Sequence, residues 1–469
     1  MTQLSKEASD LMARLNIKEP AKKASEDNDT TSEAKVEKED AKETKAEEPA
    51  SNVINSEYEV KVNLADLQAD ANSPLYSVKS FEELGLSEEL LKGLYAMKFQ
   101  KPSKIQEKAL PLLIRDPPHN MIAQSQSGTG KTAAFSLTML TRVDPNVNST
   151  QAICLSPARE LARQTLEVIQ EMGKFTKTSS QLVVPDSFER NKPITANIVV
   201  GTPGTVLDLI RRKMLNLGSI KVFVLDEADN MLDKQGLGDQ CIRVKKFLPK
   251  TCQLVLFSAT FDDGVRQYAK KIIPTAVSLE LQKNEVNVSA IKQLFMDCDN
   301  EEHKYTILSE LYGLLTIGSS IIFVKTKQTA NLLYAKLKKE GHQVSILHGD
   351  LQSQDRDRLI DDFREGRSKV LITTNVLARG IDIPSVSMVV NYDLPTLPSG
   401  QADPSTYVHR IGRTGRFGRT GVAISFIHDK KSFEVLSAIQ KYFGDIEITK
   451  VPTDDLDEME TIVKKALKA

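Results

Sequence analysis

The sequence has few cysteines, no long apolar run and almost no net charge. Its four cysteines lie far apart without a C-x-x-C pair, a pattern typical of reduced core residues rather than disulfides or metal ligands. No apolar stretch approaches the ~18 residues of a membrane span, and the N-terminus has no signal-peptide pattern. A formal charge of −1 does not suit a protein that coats nucleic acid through bulk positive charge. We therefore expect a soluble intracellular protein with no membrane insertion, in which any nucleic-acid contact must be local.

Length and charge distribution predict the organisation of the chain. At 469 residues it exceeds the size of one hydrophobic core, so two domains and extra segments are expected. Residues 1–50 hold 9 Lys/Arg and 13 Asp/Glu without an aromatic residue, which predicts a disordered acidic extension over 1–53. Helical spacing of apolar residues from Leu4 to Leu15 predicts a transient helix or, alternatively, a partner-binding or nuclear-export segment. We assign 54–76 to a flanking segment.

From about Phe81, short apolar runs alternate with helical patterns, which is typical of βαβ units and parallel sheets. The pattern restarts after a polar stretch, so we predict an α/β fold with two tandem domains over 77–281 and 293–469, joined by a linker over 282–292. The strand candidates are 121–123, 152–155, 198–200, 222–225, 254–257, 320–324, 344–347, 370–373, 388–391 and 422–426. A crossover helix ending at Gly341 and a C-terminal amphipathic helix are also expected.

The run SQSGTGKT follows a strand candidate and precedes a helical pattern, the context of a phosphate-binding loop. Backbone N–H groups of such a loop cradle phosphates at a helix N-terminus. Lys131 is expected between the β- and γ-phosphates, and the Thr132 hydroxyl on Mg²⁺. A tight turn with an incidental lysine is the alternative. The residues predicted to bind nucleotide are Ser125, Gln126, Ser127, Gly128, Thr129, Gly130, Lys131 and Thr132.

Acidic residues follow the apolar strand candidate 222–225, at the sheet edge where open α/β sheets bind ligands. Asp226 is expected to hold Mg²⁺ through water, and Glu227 is the candidate base that orients and deprotonates the attacking water. A solvated turn or a charge pair at a helix N-terminus is the alternative for these carboxylates alone. Together with the phosphate loop, they predict a site that hydrolyses a nucleotide.

The phosphate loop followed by Asp-Glu-Ala-Asp at 226–229 resembles the DEAD-box ATP-dependent RNA helicases, and the resemblance runs from Phe81 to the C-terminus. It implies two RecA-like domains, ATP and Mg²⁺ as cofactors, and RNA-stimulated ATP hydrolysis. It also implies that the segment FQKPSKIQ recognises adenine, with Phe99 stacking on the base and Gln106 bonding its edge. Lys101 belongs to the same nucleotide-binding motif.

The resemblance assigns further residues to RNA, to ATP and to the coupling between them. Backbone contacts with single-stranded RNA are implied for Pro157, Arg159, Thr202, Gly204, Thr374 and Arg379. ATP contacts from the second domain are implied for Gly380 and Asp382, the latter toward the ribose. Coupling of hydrolysis to RNA binding and closure is implied for Ser258, Thr260, Asp229 and His409. The hydroxyl of Ser258 or of Thr260 could instead cap the next helix.

The run HRIGRTGR at 409–416 resembles the arginine motif of the same family. It implies that Arg413 and Arg416 are catalytic and reach the γ-phosphate from the second domain as arginine fingers. Three arginines at three-residue spacing, Arg410 being the first, suit a row that faces one partner. A basic solvated turn is the alternative.

Three positions depart from the usual family pattern. VPDSFER at 184–190 replaces a double glycine, Thr205 replaces an arginine, and Ser353 replaces a glutamine before Arg356, so RNA contacts are not carried over there. These departures and the acidic extension resemble the fungal mRNA-export helicases of the family, which act at the cytoplasmic face of the nuclear pore. That resemblance implies messenger ribonucleoprotein, a nucleoporin and an inositol-hexakisphosphate-dependent activator as partners of a monomer found in cytoplasm and nucleus.

Two other functions use related motifs. An ATP-dependent RNA clamp, in which ATP hydrolysis is incidental, has the same motifs as a helicase. It differs in whether the RNA must be released. A double-stranded-DNA translocase is expected to carry further strand-gripping elements, and the compact second domain has none that the sequence reveals. We therefore predict a non-processive RNA-remodelling ATPase.

Overall fold

The structure is a computed structural model, and it describes residues 60–63, 78–124, 130–189, 191–233, 236–281, 291–314, 318–375, 386–415 and 420–468. The predicted acidic extension and most of the predicted phosphate loop lie outside these residues. Among the helices within these ranges, none combines the length and the apolar character that a membrane crossing requires. All four cysteines are buried and unpaired with one another, as predicted.

The described part of the first domain forms one sheet of eight strands. The strands are β1 (Val60–Asn63), β2 (Met121–Gln124), β3 (Ala152–Leu155), β4 (Ser180–Val183), β5 (Ile198–Gly201), β6 (Val222–Leu225), β7 (Gln253–Ser258) and β8 (Val277–Leu281). Their order is β1-β8-β2-β7-β6-β3-β5-β4. β1 is antiparallel to β8, and all other neighbours are parallel. The five strands predicted here are confirmed.

The helices of the first domain cover both faces of its sheet. They are Glu88–Ala96, Lys104–Ile114, Lys131–Arg142, Arg159–Met172, Pro203–Arg211, Ala228–Asp233, Leu237–Lys245 and Asp263–Ile272. Alternate residues of β6 point into two separate apolar cores, with Val222 and Val224 in one and Phe223 and Leu225 in the other. Burial on both faces explains why the central strands are continuous apolar runs.

In the part of the second domain that the structure describes, seven strands form one sheet, and all are parallel to their neighbours. They are β9 (Ile291–Asp297), β10 (Ser319–Phe323), β11 (Val344–Leu347), β12 (Val370–Thr373), β13 (Val386–Asn391), β14 (Gly421–Ile427) and β15 (Thr449–Val451). The order is β11-β12-β10-β13-β14-β9-β15. The five predicted strands are confirmed, and β9 begins inside the segment assigned to the linker.

Within the described residues, six helices cover the second sheet: Glu301–Leu314, Lys327–Lys339, Ser353–Arg364, Pro404–Ile411, Lys430–Tyr442 and Leu456–Lys468. The predicted crossover helix is the one at Lys327–Lys339, and it is followed by Gly341 with φ of +90°, a conformation that favours glycine. The predicted C-terminal helix buries Met459 and Val463 against the sheet. The prediction of two tandem α/β domains is confirmed.

Candidate active site

Neighbouring strands of the first sheet end next to the predicted site residues. β2 leads toward Lys131, and β3 leads to Pro157. β6 leads to Asp226, and β7 ends at Ser258. Since β2, β7, β6 and β3 are consecutive parallel neighbours, their carboxyl ends form one edge. The topology therefore gathers the motifs at the edge where α/β sheets bind ligands.

The centre of this edge is a buried group of one cation and two anions. The Lys131 ammonium contacts Glu227 Oε1 and lies 4.0 Å from Asp226 Oδ1. The three residues are at most 6% exposed. Buried charges are costly unless they are paired, so the lysine and the carboxylates stabilise one another.

The surroundings of Asp226 and Glu227 shift the pKa values of the two carboxylates in opposite directions. Burial raises the pKa of Asp226 to about 7, although Lys131 opposes the rise. Burial also acts to raise the pKa of Glu227, but the charges of Lys131 and His409 hold it below the ordinary value of a glutamate. Glu227 is therefore the carboxylate that stays ionised at neutral pH. Its φ of 54° is uncommon for a residue other than glycine.

Asp229 connects the acidic residues that follow β6 with the end of β7 and with the second domain. Its Oδ2 accepts hydrogen bonds from Thr260 Oγ1 at 2.8 Å and from the Thr260 backbone N–H at 3.1 Å. The same oxygen lies 3.1 Å from His409 Nε2. The Asp229 N–H donates to Ser258 Oγ at 3.1 Å. The four residues predicted to couple hydrolysis to closure thus form one hydrogen-bonded group.

His409 brings the second domain to the predicted base. It lies in helix Pro404–Ile411, is 2% exposed, and its Nδ1 is 3.9 Å from Glu227 Oε2. In the same contact, Ser405 Oγ lies 3.4 Å from Thr260 Oγ1. The buried carboxylates of the first domain therefore have a direct neighbour in the second.

The arginine motif is buried, so the alternative of a solvated basic turn is wrong for its described residues. Arg413 is 2% exposed, and its Nε donates to the His409 carbonyl at 2.9 Å. Arg410 is 1% exposed and donates to Asn375 Oδ1 at 2.6 Å and to the Asp393 carbonyl at 2.7 Å. The expectation of three arginines facing one partner is wrong for Arg410, because these partners belong to its own domain.

Gln106 links the predicted adenine motif to the phosphate loop. Its Nε2 donates to the Gly130 carbonyl at 2.9 Å, and its Oε1 accepts from the Ser103 N–H at 3.0 Å. The second bond belongs to a capping box that begins helix Lys104–Ile114. Ser103-x-x-Gln106 is a sequence signal for this cap, which the family resemblance alone did not indicate. The side chain still has donor and acceptor capacity for a further ligand.

The other predicted nucleotide residues of the first domain lie around Gln106 and Lys131. Phe99 is half-buried and packs against the first core, whereas Lys101 is exposed. Thr132 is half-buried in the first turn of helix Lys131–Arg142. Gly130, with φ of +93°, precedes that helix, and a Cβ there would come within 2.5 Å of Gln106 Nε2. Glycine is thus required for this approach of backbone and side chain.

The first predicted RNA motif contacts the second domain. Pro157 is buried, and Arg159 at the start of the next helix donates to Asp357 Oδ2 at 2.8 Å and to the Pro185 carbonyl at 3.1 Å. Glu160 accepts from Arg356 Nη1 at 3.2 Å. Interdomain ion pairs therefore lie directly beside this motif.

The remaining predicted RNA residues are at strand and helix termini. Thr202 precedes helix Pro203–Arg211, and its hydroxyl lies 3.1 Å from that of Thr205. Gly204 is exposed in the first turn of that helix, and Thr374 is half-buried after β12. A helix N-terminus offers N–H groups to a phosphate.

Several predicted site residues lie outside the described residues. They are Ser125, Gln126, Ser127, Gly128, Thr129, Arg379, Gly380, Asp382 and Arg416. Two residues that the motif analysis did not select contribute to the site. Asn230 Nδ2 donates to Glu227 Oε2 at 3.3 Å, and Asn375 holds Arg410. The i, i+3 spacing of Glu227 and Asn230 is the signal that could have identified the first of these.

Two family models match the chain: DEAD/DEAH box helicase over residues 103–268, and helicase conserved C-terminal domain over residues 303–418. The chain is 99% identical over 469 residues to the ATP-dependent RNA helicase DBP5 of Kluyveromyces lactis, with 100% of each chain covered. It is similar to the solved structure of S. cerevisiae Dbp5 bound to RNA and ADP BeF3, with 80% sequence identity and a TM-score of 0.81. That match covers 83% of this chain and 100% of the other.

A second similar structure contains a variant of S. cerevisiae Dbp5 bound to nup159, gle1, ip6 and adp. It has 77% sequence identity and a TM-score of 0.61, and the match covers 82% of this chain and 100% of the other. The first family model spans Lys131, Asp226 and Glu227, and the second spans His409 and Arg413. The chain, with its two RecA-like domains, therefore belongs to the DEAD/DEAH box helicase family.

Proposed function

We propose that the two faces of this site act as one catalytic centre that hydrolyses ATP and couples hydrolysis to a bound RNA strand. The chain is an ATP-dependent RNA helicase. The observation that carries the proposal is the contact of His409, in the second domain, with Asp229 and Glu227 in the first. Closure of the two domains therefore brings His409 to Glu227, the proposed base.

The chain acts in mRNA export, at the cytoplasmic face of the nuclear pore. The S. cerevisiae relatives bound to RNA, and to nup159, gle1 and ip6, support this assignment. We assign RNA, a nucleoporin and an activator used with inositol hexakisphosphate as its partners. The acidic pair and the arginine motif belong to the ATPase itself and do not depend on which partner is bound.

The residues at the phosphate loop fit a divalent cation. Neither carboxylate oxygen of Asp226 accepts a hydrogen bond from any residue that the structure describes, although both are buried. A buried carboxylate without hydrogen-bond partners suits a hard cation or its bound water. Asp226 and Thr132 would hold Mg²⁺, which neutralises charge on the β- and γ-phosphates when bound.

Lys131 controls when Glu227 can act as a base. Their contact neutralises both groups, and a phosphate at the loop offers the ammonium a second anionic partner. As Lys131 turns to the phosphate, Glu227 becomes free to orient a water and accept its proton. The water oxygen then bonds to the γ-phosphorus, the bond to the ADP oxygen breaks, and phosphate leaves.

Arg413 supplies positive charge from the second domain. Its bond to the His409 carbonyl ties the guanidinium to the helix that contacts Glu227, so both groups move with domain closure. A guanidinium beside the γ-phosphate stabilises the charge that develops in the transition state. We assign the same role to Arg416.

RNA is held through its backbone at helix N-termini beside the interdomain contact. Arg159, Thr202 and Gly204 lie at or next to such termini. Contacts of this kind position a strand without reading its sequence. The opposite domain contributes Thr374 and Arg379, so the grip tightens as the domains close.

The alternative function, an ATP-dependent RNA clamp, differs from a helicase in whether ATP hydrolysis is needed to release the RNA. We expect the chain to separate a short RNA duplex in repeated cycles with ATP, and to remain on RNA when a non-hydrolysable analogue replaces ATP. The experiment measures strand separation and phosphate release together. Equal multiple-turnover separation with both nucleotides would show that hydrolysis is incidental.

Replacement of Gln106 by alanine is expected to lower ATP affinity and reduce discrimination against GTP. The change removes the proposed contact with the adenine edge and also the bond to the Gly130 carbonyl. Competition binding of ATP and GTP gives the measurement. Lys131→Ala is the matched control, because loss of a phosphate contact weakens both nucleotides alike. Full ATP preference in Gln106→Ala would mean that another residue reads the base.

A further inference from the structure

Two helices face each other across the domain boundary beside the ATP site: Arg159–Met172 and Ser353–Arg364. One turn beyond Arg159, Arg163 donates from Nη2 to both carboxylate oxygens of Asp361, at 2.9 and 3.2 Å. Neither residue belongs to a motif with an assigned role in ATP or RNA binding. The two side chains are 31% and 33% exposed. They therefore form an interdomain contact that is separate from the buried ATP site.

Further charges join this pair into a network. Arg163 lies 3.2 Å from Glu167 on its own helix and 3.8 Å from Asp357 on the opposite helix. Glu167 in turn lies 3.6 Å from Arg364 Nη1. Isolated surface ion pairs contribute little, whereas a connected network restricts the orientation of its members.

We propose that Arg163 and Asp361 are positioning residues that fix the register of the two domains when they close. Arg159 and Arg163 face carboxylates on the second helix, and Arg356 and Arg364 face carboxylates on the first. A slip of one helical turn in one direction would place Glu167 opposite Asp361, and like charges at an interface disfavour such an arrangement. The network thus selects the alignment that delivers the arginine motif to the ATP site. The proposal rests on the ATPase function proposed for the site.

RNA is the competing partner for Arg163, and the surroundings argue against it. Three carboxylates, from Asp361, Asp357 and Glu167, lie within 4 Å of this guanidinium. Arg163 Nη2 engages both oxygens of Asp361. A phosphate approaching Arg163 would meet these negative charges, so the guanidinium is suited to hold a protein carboxylate.

Charge reversal in the full-length chain tests the proposal. Arg163→Glu and Asp361→Arg are each expected to raise the RNA concentration for half-maximal ATPase activity about tenfold, since each places like charges across the interface. The turnover number at saturating RNA and ATP is expected to change by less than about threefold, because the chemical groups are intact. The double variant restores an ion pair in the opposite sense, and its RNA requirement is expected to return close to that of the unchanged chain.

The control is Lys464→Glu, which breaks the exposed Glu460–Lys464 pair of the C-terminal helix and should leave the RNA requirement unchanged. Thermal unfolding of each variant checks that the domains remain folded. Wild-type behaviour of both single variants would overturn the proposal. So would an Arg163→Glu defect that Asp361→Arg fails to rescue, which would assign Arg163 to RNA instead. If the wild-type chain showed no RNA-stimulated ATPase activity, the proposed function itself would be refuted.

Discussion

Glu227→Gln is expected to slow ATP turnover by at least about 100-fold while ATP binding is retained, because the amide cannot accept the proton of the attacking water. The substitution preserves the shape of a side chain that is 1% exposed, so the fold is expected to tolerate it. RNA should remain clamped, since closure with ATP no longer leads to hydrolysis. Phosphate release at saturating ATP and RNA, and equilibrium nucleotide titration, give the two measurements.

A matched control for this variant is Glu171→Gln, on the exposed surface of helix Arg159–Met172. It makes the same chemical change away from the phosphate loop and should leave turnover unaltered. Near-normal turnover in Glu227→Gln would mean that a different group activates the water. Loss of ATP binding would instead assign Glu227 to a structural role beside Lys131.

Arg413→Lys is expected to lower RNA-stimulated turnover by about 10³-fold, the lower end of the range for a lost arginine finger. Lysine keeps the positive charge but cannot reproduce the planar fork. The Nε bond to the His409 carbonyl is lost as well, so the charge is no longer tied to the helix that contacts Glu227. ATP affinity without RNA should change little, because the phosphate loop belongs to the first domain.

Arg243→Lys serves as the matched control, because Arg243 is exposed on helix Leu237–Lys245 and distant in sequence from the predicted motifs. Its turnover should equal that of the unchanged chain. Full RNA-stimulated activity of Arg413→Lys would contradict the role of the second domain in the chemistry. Such a result would mean that the contact of His409 with the first domain is structural and does not contribute to catalysis.

The central strands could be predicted because they are buried on both faces. β6 consists of Val222–Leu225, and every residue in it is buried, so the run is apolar without interruption. Several other strands gave no such signal. The edge strands β4 and β15 are mostly half-exposed and contain polar residues, and β9, next to β15, has two polar residues, Lys292 and Gln293, directly after its first position. Periodicity alone does not separate segments of this kind from loops.

The strand-end positions of Asp226 and Ser258 could be predicted from local sequence, because each directly terminates an apolar run. The partners across the domain boundary could not. Asp229 and His409 are 180 residues apart, and Arg159 and Asp357 are 198 apart. Nothing in the spacing of either motif encodes which distant residue it meets, so these contacts required the structure.

The arginine motif illustrates the same limit within one segment. From their three-residue spacing, Arg410 and Arg413 were expected to face the same partner. In the structure, Arg410 stacks over Phe323 at 5.0 Å and bonds within its own domain, whereas Arg413 bonds the carbonyl of the residue that contacts the first domain. Side-chain direction at the end of a short helix depends on tertiary packing, which spacing does not provide.

The central claim is that RNA and ATP act together at a site completed by both domains. Steady-state ATP hydrolysis by the full chain, measured with and without single-stranded RNA at saturating ATP, tests it most directly. We expect slow hydrolysis without RNA and strong stimulation when RNA is added, because a bound strand favours the closed arrangement in which His409 and Arg413 join Glu227. Hydrolysis that is the same with and without RNA would contradict the account.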